Sequence, residues 1–306
     1  MATSYRFAAV TVWVSFALAV AAAAPRVAAG QSRDQFDVSA PNVTAPRTIT
    51  YGADKMQSVD YWSPTVPASK VRPPLIVFVH GGAWSRGNKT NGTGRWKEAH
   101  YPGLGYAFAT LDYRLVPTVR IEDQASDIAN ALRALINQSE TLGFDPHRVV
   151  LMGHSAGAHL VALVSTDPAY LTKAKLSFAD IAGTVAIDGA GYDVAEQIDA
   201  DKFFLRREYI QAFGTDTARQ RALSPTFQAG SPNVDHFLLL HVERPDSARQ
   251  TDELAIALRR GGSQVQVNGF EGKGLAGHMT INRRLGDPTY SATPIVDAWL
   301  EKLFSH

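Results

Sequence analysis

From residue 48 onward, apolar runs of strand length alternate with segments of helical period. Leu75-Ile76-Val77-Phe78-Val79 is an unbroken apolar run between Pro73-Pro74 and Gly81. A short run bounded this way predicts a strand buried on both faces. Thr48–Tyr51, Gln57–Trp62, Tyr106–Leu111, Arg148–Met152, Thr184–Ile187, Phe237–Leu240 and Gln264–Phe270 are further predicted strands. Between them, Ile121, Ala125, Ile128, Leu132 and Leu135 recur at spacings of three and four, which gives a helix with one apolar face. Ala156–Val164 and Glu253–Arg260 read as helices, the latter stopped by Gly261-Gly262. A last helix starts at Thr293-Pro294, with proline at the first helical position. Strand–helix alternation of this length predicts an α/β fold with a mostly parallel sheet covered on both faces. The alternation breaks at 189–234, where Phe203, Phe204, Tyr209 and Phe213 sit among charged residues. That stretch reads either as a cap over a site or as a packed helical excursion.

The N-terminus follows a different pattern. After Arg6, Phe7 to Ala24 is apolar except for Thr11 and Ser15, and Val27-Ala28-Ala29-Gly30 is small. A basic start, an apolar core and a small-residue end predict a cleavable secretory signal over 1–30. An uncleaved anchor is the alternative, since the block nearly reaches spanning length. Residues 31–47 read as a linker or arm and 48–306 as the folded domain. The expected location is secreted or periplasmic, with no membrane attachment after cleavage. Lys+Arg is 30 against Asp+Glu 29, so no bulk field favours nucleic acid. There is no cysteine, which removes disulfides, thiolate nucleophiles and Cys-ligated zinc.

Chemistry enters at Gly153-His154-Ser155-Ala156-Gly157, a G-x-S-x-G motif between an apolar strand and an apolar helix. The tight turn projects the Ser155 hydroxyl from the sheet, and Gly153 and Gly157 keep its neighbours small. His80-Gly81-Gly82-Ala83-Trp84 ends the strand Leu75–Val79. With the amide of Ala156, those of Gly82 and Ala83 could hold a developing oxyanion. His80 reads as a loop-fixing residue, and Trp84 as packing or a substrate-pocket wall. His154 and His159 flank Ser155 without further ligands, so no metal site is expected.

At this point the sequence resembles the α/β-hydrolase superfamily, and within it HGG-type esterases and lipases of the feruloyl-esterase-like and kynurenine-formamidase-like group. The resemblance rests on HGGAW at 80–84, DYRLVP at 112–117, EDQASDIANALR at 122–133 and DPHRVVLMGHSAGAHL at 145–160. LSPTFQAGSP at 223–232 and GHMTINRRLG at 277–286 add to it. It implies a Ser155 nucleophile, an acid after the strand Phe237–His241 and a histidine near the C-terminus. The acid loop departs from the common form: His241-Val242-Glu243-Arg244-Pro245-Asp246 lacks the glycine and is shorter. Beyond Gln264 only His278 and His306 remain, and His278, expected in a loop after the last strand, is the expected base. Asp246 is the first candidate for the acid, ahead of Glu243; Asp252 and Asp188 are weaker alternatives. The expected activity is cofactor-free hydrolysis of a small carboxylic ester through an acyl-enzyme. An arylformamidase or amidase with the same machinery, and a non-catalytic binding protein, are the alternatives.

Overall fold

The computed structural model describes residues 43–66, 71–200, 205–230 and 232–305. All belong to the compact unit Ala40–His306. The expected signal over 1–30, most of the expected linker over 31–47, Phe203, Phe204 and His306 lie outside the described residues.

Among the described residues eight strands form one sheet: β1 Arg47–Thr50, β2 Ser58–Trp62, β3 Leu75–Val79, β4 Ala107–Leu111, β5 Val149–His154, β6 Gly183–Ile187, β7 His236–Glu243 and β8 Gln264–Lys273. Their spatial order is β1-β2-β4-β3-β5-β6-β7-β8. β2 is antiparallel to β1 and β4, and β3 to β8 run parallel. The apolar run at β3 explains its central place. Leu75, Val77 and Val79 enter the core on one face, while Ile76 and Phe78 enter the core on the other. β5 divides the same way, Val149 and Leu151 against Val150 and Met152. A strand with two buried faces has no room for polar alternation.

The first face is covered by helices Ile121–Asn137, Ala156–Val164 and Pro245–Arg260, through residues such as Ile128, Leu160 and Leu254. The second is covered by Lys97–Gly103, Gly274–Arg284 and Ala292–Phe304, through Tyr101, Ile281 and Trp299. Among the described residues, the segment between β6 and β7 holds four helices, Val194–Ala200, Arg206–Phe213, Thr217–Ala222 and Pro225–Gln228.

Two expectations change. The helix after β7 begins at Pro245 rather than near Glu253, because proline fits the first helical position and needs no amide partner. His278 lies in the helix Gly274–Arg284, not in a loop. Glycines 272, 274 and 277 make that sequence read as a loop. They instead let the helix start hard against the strand end: Gly272 and Gly274 have positive φ, and a Cβ on Gly277 would lie 2.3 Å from the Gly272 carbonyl carbon.

Candidate active site

Parallel strands bring their C-terminal ends to one edge of the sheet, where ligand sites of open α/β sheets form. Five strand ends supply the candidate residues: the loop 80–84 after β3, Ser155 after β5, Asp188 after β6, Arg244 after β7, and His278 on the helix after β8.

Ser155 sits between β5 and its helix with φ 57° and ψ −120°. Such a backbone costs on the order of 1–3 kcal/mol in a non-glycine residue and persists only where packing over-determines it. Here the constraint is visible. The Ser155 amide donates to the Ile187 carbonyl at 3.0 Å. A Cβ on Gly153 would lie 2.3 Å from the Gly157 carbonyl oxygen, and one on Gly157 2.2 Å from that of Val79. Only glycine permits this approach of helix to strand.

The Ser155 hydroxyl is 3.0 Å from His278 Nε2. His278 Nδ1 is 2.5 Å from Asp188 Oδ2. Asp188 follows β6 directly, with a left-handed φ of 44°, and its side chain is wholly buried. Its Oδ1 accepts from the Val242 amide at 3.1 Å and the Ser247 hydroxyl at 2.8 Å. Its Oδ2 also accepts from Arg244 Nη1 at 3.0 Å. Burial alone would raise its pKa. The His278 N–H, the Arg244 charge and the Ser247 hydroxyl outweigh burial and hold it well below the usual carboxylate range.

Asp246, the first sequence candidate for the acid, does not reach His278. The loop after β7 is so short that Asp246 is wound into the first helical turn. Its Oδ2 accepts from Arg244 Nη2 and from Gln197 Nε2, both at 3.2 Å. Glu243 is the exposed last residue of β7, and Asp252 is exposed in mid-helix. Asp188, the weakest of the four in sequence, is the carboxylate on the imidazole. Its signal was a lone Asp at the end of a predicted strand.

The loop after β3 is fixed from behind. Gly82, Ala83 and Trp84 all have positive φ. The Gly82 carbonyl accepts from the Ser85 and Arg86 amides, and the Trp84 carbonyl from Gln124 Nε2 at 2.7 Å. Among the described residues no acceptor is seated on the Gly82 or Ala83 amide. A Cβ on Gly81 would stand 2.9 Å from the Ser155 Cβ, which sets how closely this loop approaches the serine. The Ala156 amide, at the first position of its helix, is one of the free N-terminal donors.

Three further histidines hold the frame. His80 is buried and stacks on Tyr113 at 4.3 Å, with Nδ1–H donating to the Gly81 carbonyl at 2.7 Å. Burial pulls it down to about 4. His154 donates from Nε2 to the His278 carbonyl at 2.9 Å, so it grips the backbone of the residue whose ring faces Ser155. Burial lowers it well below the ordinary histidine value. His159 accepts from Trp84 Nε1 at 3.3 Å and donates from Nε2 to the Leu223 carbonyl at 2.8 Å. Burial lowers it to about 4, which suits this neutral tautomer.

Trp84 is 2% exposed. Its ring is enclosed by His159, Tyr209 and Phe213. The structure thus makes it packing between the HGG loop and the helical segment after β6, and leaves it too little surface to form a substrate-pocket wall. Among the described residues no group of three or more His, Asp or Glu side chains is placed to hold a metal ion, and no helix is long and apolar enough to cross a membrane.

Comparison with known proteins agrees with this frame. The family model described as BD-FAE matches residues 60–184. The probable isoprenylcysteine alpha-carbonyl methylesterase ICMEL1 of Arabidopsis thaliana is 28% identical over 249 residues, 74% of this chain and 50% of that protein. Esterase LipC of Mycobacterium tuberculosis is 29% identical over 266 residues, 80% of this chain and 63% of that one. The chain thus spans about half to two-thirds of the length of these relatives. Among solved structures, the apo form of Thermogutta terrifontis esterase 2 superposes with a TM-score of 0.69 at 22% identity, covering 86% of this chain and 97% of the other. With its sheet order, its serine elbow and its glycine loop, the chain has the α/β-hydrolase fold of that esterase structure.

Proposed function

We propose that the protein is a serine hydrolase of carboxylic esters, with Ser155 as nucleophile, His278 as general base and Asp188 as the acid. The observation that carries this reading is the continuous hydrogen-bonded chain from Ser155 Oγ through both imidazole nitrogens to Asp188. His278 Nε2 accepts the hydroxyl proton as Oγ attacks the ester carbonyl carbon. The carbonyl oxygen becomes an oxyanion held by the amides of Gly82, Ala83 and Ala156, each such donor lowering the barrier by about 3 kcal/mol. Collapse expels the alcohol, which takes the proton from Nε2. Water then repeats the sequence on the acyl-enzyme and releases the acid. Asp188 keeps Nδ1 protonated and stabilises the imidazolium without taking its proton. The relatives whose names contain esterase support the ester as the bond cleaved. We further propose export through the N-terminal apolar block, as its pattern suggests.

The test is turnover of p-nitrophenyl esters of graded acyl length beside N-formylkynurenine, with mass-spectrometric mapping of a fluorophosphonate label. Ester turnover with the label on Ser155, both lost in Ser155→Ala, is expected. Full ester turnover by Ser155→Ala overturns the reading, and turnover of N-formylkynurenine alone changes the bond to an amide.

A further inference from the structure

The loop after β7 places a charge pair against the imidazole. Arg244 Nη1 is 2.8 Å from His278 Nδ1 and 3.0 Å from Asp188 Oδ2, the oxygen that also faces Nδ1. Arg244 Nη2 donates to Asp246 at 3.2 Å. The Arg244 side chain is 14% exposed and that of Asp188 is wholly buried, so solvent screens this pair weakly; Asp246, 32% exposed, closes the cluster on its solvent side. With Nδ1–H donating to Asp188, the guanidinium does not bond the ring; it shares its acceptor and stands beside it as a fixed cation.

Resting on the esterase reading above, we propose that Arg244 and Asp246 are positioning residues for the Asp188–His278 couple: Arg244 fixes the carboxylate, and Asp246 offsets the cation that Arg244 brings to the imidazole. Charge counting gives the reason. With the ring neutral, Asp188, Asp246 and Arg244 sum to −1. When the ring takes the serine proton, the four groups sum to zero. Without Asp246, the same proton transfer makes a cluster of +1 beside a buried site, which low dielectric penalises. Asp246 thereby contributes to the reaction without touching the ring.

The other groups around His278 do not supply this balance. His154, at the end of β5, is kept neutral by burial. Lys97, on the helix before β4, acts on His154, is itself pulled down by burial, and as a cation cannot offset Arg244. Tyr209, from the segment after β6, packs on Trp84 and acts electrostatically on Arg244. Ser247 donates to Asp188 and carries no charge.

The experiment measures kcat/KM for a p-nitrophenyl ester, and in parallel the fluorophosphonate labelling rate of Ser155, from pH 4 to 9. Asp246→Asn should lower the plateau about tenfold and move the acid limb to lower pH, since the unbalanced cation opposes the imidazolium. Arg244→Gln should move the limb the other way, by about one pH unit. The double variant R244Q/D246N should return it towards the wild type, and Arg244→Lys should hold it near the wild-type position. A merely structural role would not give opposite displacements. Should Arg244→Gln fail to fold by circular dichroism, Asp246→Asn against Arg244→Lys retains the contrast. Limbs that move together, or not at all, overturn the proposal while Ser155→Ala stays inactive. An active Ser155→Ala strikes instead at the esterase reading.

Discussion

The Asp188 carboxylate lies 2.5 Å from His278 Nδ1, yet the two residues are 90 positions apart, and Asp188 follows β6 whereas Asp246 follows β7. The acid site therefore lies one strand nearer to Ser155. The positive φ of Asp188 turns the chain as β6 ends, and the Val242 amide and the Ser247 hydroxyl from the β7 side close around the carboxylate. Asp188 is locked by neighbours on both sides, which suits a group that must hold a ring through proton transfer.

Exchanging the carboxylates one at a time separates their roles. Asp188→Asn should lower kcat by about 10⁴, the loss expected when the group orienting the base loses its charge. Asp246→Asn should cost far less, and Glu243→Gln, at an exposed strand end, almost nothing. The measurement is kcat on purified protein whose circular dichroism matches the wild type. A silent Asp246→Asn beside an active Asp188→Asn would return the acid to the β7 loop.

The elbow should be intolerant of a single methyl group. In Gly157→Ala the new Cβ meets the Val79 and His80 carbonyl oxygens at 2.2 and 2.6 Å, both main-chain atoms of a central strand end. Neither can swing aside like a flexible side chain. Overpacking of this kind costs about 1–3 kcal/mol. A clear fall in Tm by scanning calorimetry, with loss of ester turnover, is expected. A wild-type Tm would mean that the helix sits further from β3.

The frame of this site was legible in the sequence where one physical requirement dominates. A buried parallel strand demands an apolar run, so β3 is read to the residue. A serine elbow demands small neighbours, so Ser155 and its helix are read equally well. The acid was not legible, because what chooses among Asp188, Glu243 and Asp246 is how far β7 extends before its helix begins. One proline and one arginine decide that: Pro245 starts the helix early, and Arg244 fills the space beside the imidazole. His278 was found as a residue but assigned to a loop, since glycines that serve close packing look the same in sequence as glycines that serve flexibility.

His159 ties three parts of the molecule together, and its loss should show as stability rather than as a pH effect. Replacing it with Leu leaves the Trp84 indole N–H and the Leu223 carbonyl without their partner inside the core. Each orphaned group costs about 1–3 kcal/mol. The Tm should fall, and the acid limb of the kcat/KM profile should stay in place, because His159 already sits far below its ordinary value and does not titrate in that window. A displaced limb with an unchanged Tm would give His159 a part in the chemistry.

The apolar block Phe7 to Ala24 gives a prediction outside the described residues. Exported protein should begin close to Gln31 by N-terminal sequencing. A membrane-bound product that retains the first residues would identify the block as an anchor.

The Lys97 ammonium is fully buried beneath the helix that carries His278. Nζ donates to the Thr93 carbonyl at 2.7 Å, the Asn282 carbonyl at 2.5 Å and Asn282 Oδ1 at 3.0 Å, and stands 4.8 Å from the Phe78 ring centroid. Burial pulls it down to about 7. The unfolded chain restores a value near 10.4. Between these two values the unfolded state carries a proton that the folded state has released, so stability rises with pH across that window. Below about pH 7 both states are protonated, and the contribution is flat. Lys97→Met removes the titration, although it also removes three hydrogen bonds, so its absolute Tm is not the diagnostic quantity. The diagnostic is the difference between the two proteins as pH rises. From pH 7 to 10 the wild type should gain on Lys97→Met by up to about 1.4 kcal/mol per pH unit, the worth of one proton per unit. Urea unfolding at matched pH values measures this. Parallel stability curves for the two proteins would show that Lys97 keeps its proton in the fold. The three oxygens would then suffice to hold the full charge without a carboxylate.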